Sequence, residues 1–337
     1  MRVGLYLSLE HGRNDDLSAR LQDLYEVVRT ARQAGFELLL AGQHFLVPEY
    51  QYLQVLPVLG RIAAESGDME IGTDVLLLAL HHPIHVAETV ATLDHVCGGR
   101  FTFSVGLGYR PEEYRALGIA KGERLGRMLE SLELIKRLWT EDEVSFEGQY
   151  FRVENATLAT KPLQKPRPPV LLAATADNMV KRAAVLADAW SAYGHGTFET
   201  LVRQTSMYRE ALAEAGKPFP PQRFRLSKEL YVASTREQAR KEVFPFIAHK
   251  YDVYKRWGQD TVLPSGETFD GDVASLASDR FIIGTPEDCM ETLLAHHDAI
   301  GFRDFCFRLH YPGMPHAQVM RSLELFAERV LPRLRAV

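Results

Sequence analysis

"GGRFTFSVGLGYRPEEY", residues 98–114, decides which α/β fold this chain adopts. A β-like run, Phe101–Val105, leads into Gly106 and Gly108, two positions apart. Such a turn at a strand's end lets backbone N–H groups approach a phosphate. In the doubly wound dinucleotide fold a third glycine would stand at position 111, which holds Pro111. The turn lacks that fingerprint, so the fold is read from what surrounds it.

Working outward, short apolar runs alternate with amphipathic segments along the whole chain, the βαβα pattern. The candidate strands are Arg2–Ser8, Glu37–Ala41, Glu70–Leu77, Phe101–Val105, Val170–Ala174, Ala189–Tyr193, Phe224–Val232 and Asp304–Leu309. "PIHVAETVATLDHV" and "ERLGRMLESLELIKRLW" carry apolar residues at helical spacing between them. Eight such units favour one (β/α)8 barrel, a single domain over residues 1–337. Two stretches interrupt the alternation. Residues 142–168, after strand four, contain a hairpin turning at Glu147-Gly148 and then "KPLQKPRPP"; residues 240–283, after strand seven, form a long insertion with a polar middle. Loops of that length are often lids over a site.

Composition narrows the function classes. With 39 basic and 44 acidic residues, the net charge of −5 gives no electrostatic case for nucleic acid or an anionic membrane. Cys97, Cys289 and Cys306 are widely spaced, without a CxxC or Cys/His cluster, which points to a reducing compartment. No signal peptide is read at the N-terminus, and "VLLLAL" is too short to span a membrane. The expectation is a cytoplasmic enzyme.

In a (β/α)8 barrel the site lies at the C-terminal strand ends. There the sequence offers Gln43 and His44, Thr73-Asp74 inside an apolar run, "GLGYR" (106–110), "ATADN" (174–178), Tyr193, and Arg308. His44 reads equally as a catalytic group and as a rim histidine. Asp74 in a central strand needs partners, or marks a bulge. Gly106 and Gly108 cradle a phosphate or simply make a tight turn. Adjacent His81 and His82 point apart and have no suitably spaced carboxylate, so no metal site is expected.

Five segments in order, "GQHF", "LHHPIHVAETVATLDHVCGGRFTFSVGLGYRPEEYRALGI", "ERLGRMLESLELIKRLWTEDEVSFEGQYF", "KPLQKPRPPV" and "IIGTPEDCMETL", resemble the bacterial luciferase-like flavin-dependent oxidoreductases. The resemblance covers almost the whole chain. It implies a barrel that holds reduced FMN or, in one branch, the deazaflavin coenzyme F-420. It places the cofactor phosphate between Gly106, Leu107, Gly108, Tyr109 and Arg110 on one side and Ala174, Thr175 and Ala176 on the other. It puts Thr73, Asp74 and Val75 at a bulge beneath the flavin ring, often with a non-prolyl cis peptide, and the 240–283 insertion at the position of a mobile loop.

Three positions depart from luciferase: Gln43 replaces a first histidine, Leu107 a phosphate-binding arginine, and Thr175 a carboxylate. Light emission is not expected. The leading expectation is a monooxygenase in which reduced FMN, supplied by a separate reductase, activates oxygen as a C4a-hydroperoxide. A small organic substrate would then be oxygenated, with His44 and Gln43 catalytic and Tyr193 and Arg308 near the substrate. The competing expectations are F-420-dependent hydride transfer and a flavin-binding protein without catalysis. The resemblance also implies a homodimer.

Overall fold

The computed structural model describes residues 1–264 and 266–336. All eight expected strands form: β1 (Arg2–Leu7), β2 (Leu38–Ala41), β3 (Glu70–Thr73, resuming at Leu76–Leu77), β4 (Phe101–Gly106), β5 (Val170–Ala174), β6 (Ala189–Ala192), β7 (Arg225–Val232) and β8 (Asp304–Arg308). Each pairs in parallel with the next, and β8 returns to β1 with Val3 opposite Phe305. The sheet is a closed (β/α)8 barrel, and closure leaves no open edge among these strands. Leu38, Leu39 and Leu40 are fully buried, as expected for strands covered on both faces.

β3 is broken where the sequence is polar. Gly72 pairs with Thr102, and Leu76 pairs with Val105, so β3 spends one residue more than β4 over the same span. That is a bulge. Two groups fill the gap in the ladder. The Thr73 hydroxyl donates to the Ser104 carbonyl at 2.7 Å and accepts from the Ser104 N–H at 3.0 Å. The Asp74 carboxylate accepts from the hydroxyls of Ser104 at 3.2 Å, Ser191 at 3.0 Å and Ser227 at 3.1 Å. The Asp74–Val75 peptide is cis.

Beneath this level the barrel's N-terminal end is filled by charge. Arg225, fully buried, lies 3.6 Å from both Glu70 and Asp304, and Arg2 pairs with the same two carboxylates.

The two interruptions take definite form. Val144–Glu147 and Arg152–Ala156 make the expected hairpin, and the Glu130 carboxylate accepts from the N–H groups of Gln149 and Tyr150 at its turn. The 240–283 stretch is not the expected loop. Its first third continues a helix, Arg236–Arg256, a second helix spans Val273–Arg280, and Ile282–Gly284 pairs with β7. Val243, Ile247, Tyr251 and Tyr254 form the buried stripe that holds the long helix to the barrel, despite Pro245 within it.

The serine–Asp74 cluster is expected to dominate local stability. Asp74→Ala should lower the unfolding free energy by about 3 kcal/mol, because a charged acceptor of three hydroxyl bonds is lost. Asp74→Asn keeps part of the cluster and should cost about half of that. Urea denaturation of the two variants checks this; equal midpoints with the parent protein would contradict it.

Candidate active site

The C-terminal strand ends enclose a cavity of about 600 Å³. Most residues expected at the site line it: Gln43, His44, Asp74, Val75, Gly106–Tyr109, Ala174–Ala176, Tyr193 and Arg308. Two do not. Thr73 is fully buried in the β3–β4 repair described above. Arg110, expected as a charge partner for phosphate, is turned away and 2% exposed. Its guanidinium donates to the Phe45 carbonyl at 2.8 Å and stacks 4.5 Å over the Trp257 ring. It ties the loop after β2 to the end of the long helix and does not line the cavity.

His44 is held on three sides. Its Nδ1–H donates to Glu113 Oε1 at 2.9 Å, and the same oxygen accepts the Phe45 N–H at 2.8 Å. Glu113 is fully buried on the helix Pro111–Ala116. Tyr52, Tyr109 and Trp257 pack against the imidazole at ring separations of 5.7, 5.6 and 5.2 Å. With Nδ1 committed to a carboxylate, Nε2 is the nitrogen left as acceptor.

Gln43 has no amide end to spare. Its Nε2 donates to Gln54 Oε1, whose own amide donates to the His44 carbonyl; its Oε1 accepts from the Leu77 N–H and from His81 Nε2–H at 2.8 Å. Gln43 therefore holds the β2 loop and orients His44 through Gln54. Burial pushes His81 down to about 4, so it donates to Gln43 as a neutral ring at pH 7.

At the opposite wall, the two glycines serve the protein first. A Cβ on Gly106 would sit 2.8 Å from Val75 Cγ2, and Gly108 has φ +76°. Bulk at Gly106 would push on the bulge itself, so its loss reports on packing as well as on any ligand. The Thr175 hydroxyl donates to the Val262 carbonyl at 3.1 Å, which fastens the insertion to β5. The charge suited to an anion comes from residues the sequence reading passed over. Arg124 and Arg182 line the cavity beside Leu107 and Asn178. Arg124 Nη1 is buried with no hydrogen-bond partner, and Arg182 reaches only the Met179 sulfur, at 3.6 Å. The helix Asp177–Leu186, which carries Arg182, starts with no side-chain cap, and Ala176 and Asn178 at its start line the cavity. Asp177, which would repel an anion there, is paired with Arg203 at 2.7 Å.

The third wall was also missed. Glu10, following β1, takes Arg308 at 2.9 Å, and the Arg308 guanidinium lies 4.4 Å over the Tyr6 ring. Lys250 of the long helix pairs with Glu229 on β7, and Tyr311 donates to the other Glu229 oxygen at 2.6 Å. Burial lowers Lys250 to about 8; at Glu10 burial is the largest single effect, but the Arg308 and Lys250 charges and the hydrogen bonds together outweigh it and hold the carboxyl at about 2. The signal was present in "RLSKELYV", where Lys228 and Glu229 sit in a buried strand. Among the described residues no cluster suits a metal ion, no helix is long and apolar enough to cross a membrane, and all three cysteines are free and buried.

A bulged strand, an uncapped helix start with two arginines free of carboxylates, and a carboxylate-backed histidine thus meet at the C-terminal end of the barrel. The family model "Luciferase-like monooxygenase" matches residues 1–303, and the chain belongs to that family. It is similar to the F420-dependent glucose-6-phosphate dehydrogenase of Nakamurella multipartita, 28% identical over 94% of this chain and 93% of that one. It is also similar to the 4-hydroxyprotoasukamycin monooxygenase of Streptomyces nodosus subsp. asukaensis, 26% identical over 98% and 91%. Among solved structures, the monooxygenase RslO1 of Streptomyces bottropensis superposes with TM-score 0.86 at 23% identity, covering 99% of this chain and all of that one. The chain is an oxidoreductase enzyme of a family that uses a flavin or F420.

His81 gives a pH prediction. Burial lowers its folded pKa from the ordinary 6.5 to about 4, so the unfolded chain binds the extra proton between those values. Its contribution is constant above about 6.5, and stability falls as pH drops from there toward 4, by at most about 1.4 kcal/mol per pH unit. Urea midpoints at pH 7, 5.5 and 4.5 should decline less steeply in His81→Gln than in the parent.

Proposed function

We propose that this protein is a monooxygenase that uses reduced FMN and O2 to oxygenate a small organic substrate. The observation that carries the reading is the pairing of an unfilled anion cradle with a ring-walled chamber around His44. Arg124 has an orphaned buried Nη1, Arg182 has no carboxylate, and the Asp177–Leu186 helix starts at the cavity with no side-chain cap. This set fits a phosphate monoester dianion, the end group of FMN. Bound reduced FMN would supply the two electrons that, with O2, put one oxygen atom into product and the other into water.

The chain's own contribution is threefold. Arg124, Arg182 and the helix N-terminus bind and orient the phosphate. Val75 and the Gly106 backbone form the shelf under the ring system, where Val75 fills the space a Gly106 side chain would take. Tyr52, Tyr109 and Tyr254 exclude water around His44. His44 Nε2, with Glu113 holding the proton on Nδ1, accepts and returns one proton at the reacting centre. Glu113 acts through His44 as a positioning residue. The insertion, fastened by Thr175 to Val262 and by Arg110 over Trp257, covers the chamber.

FMN is favoured over F-420 by the fate of Gln43. No acid stands beside His44 on β2, and the amide that replaces it spends its oxygen on Leu77 and His81 and one N–H on Gln54. A hydride-transfer site would lack its separate proton donor there. The relative named for F420 makes deazaflavin the competing cofactor. A separate reductase would supply reduced FMN, and a homodimer is the proposed assembly.

Titration of the purified protein with FMN, riboflavin and F-420 should give tight binding of FMN alone, with riboflavin weaker because it lacks the phosphate. Arg124→Gln should weaken FMN roughly ten-fold or more, the effect of one charge-assisted contact, and leave riboflavin unchanged. Preferential binding of F-420, with turnover that needs no oxygen, would replace this reading by hydride transfer. His44→Ala should lower oxygen-dependent turnover by roughly 10²–10⁴ with little change in FMN binding. The single ionisation in the pH–rate profile should vanish with it. Normal turnover in His44→Ala would make His44 a rim residue.

A further inference from the structure

The loop that carries His44 is held in strain. Leu46 stands at φ +50°, in the left-handed region that a leucine enters only at a cost, and its side chain is exposed. Backbone of this kind persists where its surroundings fix it. Here the fixing group is Arg110. Its Nη1 donates to the Phe45 carbonyl at 2.8 Å, and its Nη2 reaches the Leu46 carbonyl at 3.5 Å. One planar guanidinium thus grips two consecutive carbonyls directly after His44. The Trp257 ring, 4.5 Å away, covers its face.

The same Nη1 lies 3.5 Å from Glu113 Oε1. That oxygen carries every hydrogen bond the carboxylate makes, from His44 Nδ1–H, the Phe45 N–H and Arg110. Glu113 Oε2 is buried with no partner, so it does nothing to fix the group in place. Among the described residues Arg110 is the only permanent cation paired with Glu113. A fully buried carboxylate depends strongly on such a partner. The His44 carbonyl is already held by Gln54 at 3.0 Å. With the backbone placed, what remains to be set is the position of the ring's proton.

We infer that Arg110 is a positioning residue for His44: it clamps the Phe45–Leu46 backbone and Glu113 together, so that the carboxylate holds the imidazole proton on Nδ1 and leaves Nε2 as the acceptor. This rests on the proton-transfer role proposed for His44, but the clamp is tested without turnover. It also accounts for the arginine of "GLGYR" not lining the cavity. Its charge serves the carboxylate behind the histidine, and a ligand anion is left to Arg124 and Arg182.

Nitrogen-15 NMR of the ligand-free protein at pH 8.5, about two units above the ordinary imidazole value, reads the tautomer directly. His44 is assigned by the signals that His44→Ala removes. The parent should show the Nδ1–H form in at least about ten-fold excess, the effect of one hydrogen bond to a charged acceptor. Arg110→Gln, which keeps a donor for Phe45 but loses the fork and the charge, should cut that excess about three-fold or more. Arg110→Lys keeps the charge but cannot grip both carbonyls and the carboxylate. It should fall between the two, and it carries the test alone if the glutamine variant does not fold. A ratio equal to the parent's in either folded variant would overturn the inference, as would an Nε2–H ring in the parent. FMN and riboflavin affinities are measured on the same samples, and their ratio should be the same in Arg110→Gln as in the parent. A ten-fold fall in that ratio would make Arg110 a phosphate ligand and overturn the assignment. If FMN fails to bind the parent while the tautomer shift holds, the cofactor reading falls and the clamp stands.

Discussion

The Asp74 carboxylate is the constraint on which the site depends. It sits where β3 departs from the regular ladder, and its three hydroxyl partners come from β4, β6 and β7. One acidic side chain thus links four of the eight strands across the barrel interior. Thr73 makes the repair toward β4, so the bulge does not leave the Ser104 peptide unsatisfied. Val75, the next residue, is then delivered to the cavity floor, and Gly106 must lack a side chain to admit it. Backbone, polar core and ligand shelf are one arrangement, and a change in any of them is felt by the other two.

Above that floor the protein separates two electrostatic tasks within one cavity. Free cationic capacity is kept at the β4–β5 side, where Asp177 is neutralised by Arg203 and the helix start is left open. On the β1–β7–β8 side Arg308 and Lys250 are each paired with a carboxylate, while Lys228 donates to the Gly196 carbonyl. A buried pair of this kind adds little net stability, because desolvation offsets most of the attraction.

Much of the barrel was legible in the sequence because it rests on local periodicity. Eight apolar runs, alternating with helical stripes, marked the strands, and the polar pair Thr73-Asp74 inside an apolar run marked the bulge. The strand-end rule then led to His44, the Gly106–Tyr109 turn and Arg308. What escaped it depends on tertiary pairing. Glu113 stood in the quoted "PEEY" yet reads as a solvated helix start until His44 comes within 2.9 Å of it. Arg110 looked like the anion partner because it is nearest in sequence, whereas it is Arg124 that lines the cavity with the turn. Glu10 and Glu229 lie at the ends of β1 and β7, two strand ends left unread. Pro245 hid a helix whose apolar spacing was otherwise regular.

That hidden helix changes how the chamber is closed. A polar loop over a site would open by itself, but here the cover begins with Trp257, at the end of the Arg236–Arg256 helix. Its indole N–H donates to Glu49 at 3.0 Å, and its face carries Arg110. Arg110 Nη1 in turn lies 3.5 Å from the Glu113 oxygen that orients His44. The cover and the histidine's carboxylate therefore share one guanidinium. Lifting Trp257 exposes the His44 ring on its packed side and removes the stacking partner of the arginine beside Glu113. The packing of Trp257 and the orientation of His44 therefore converge on one arginine and one carboxylate.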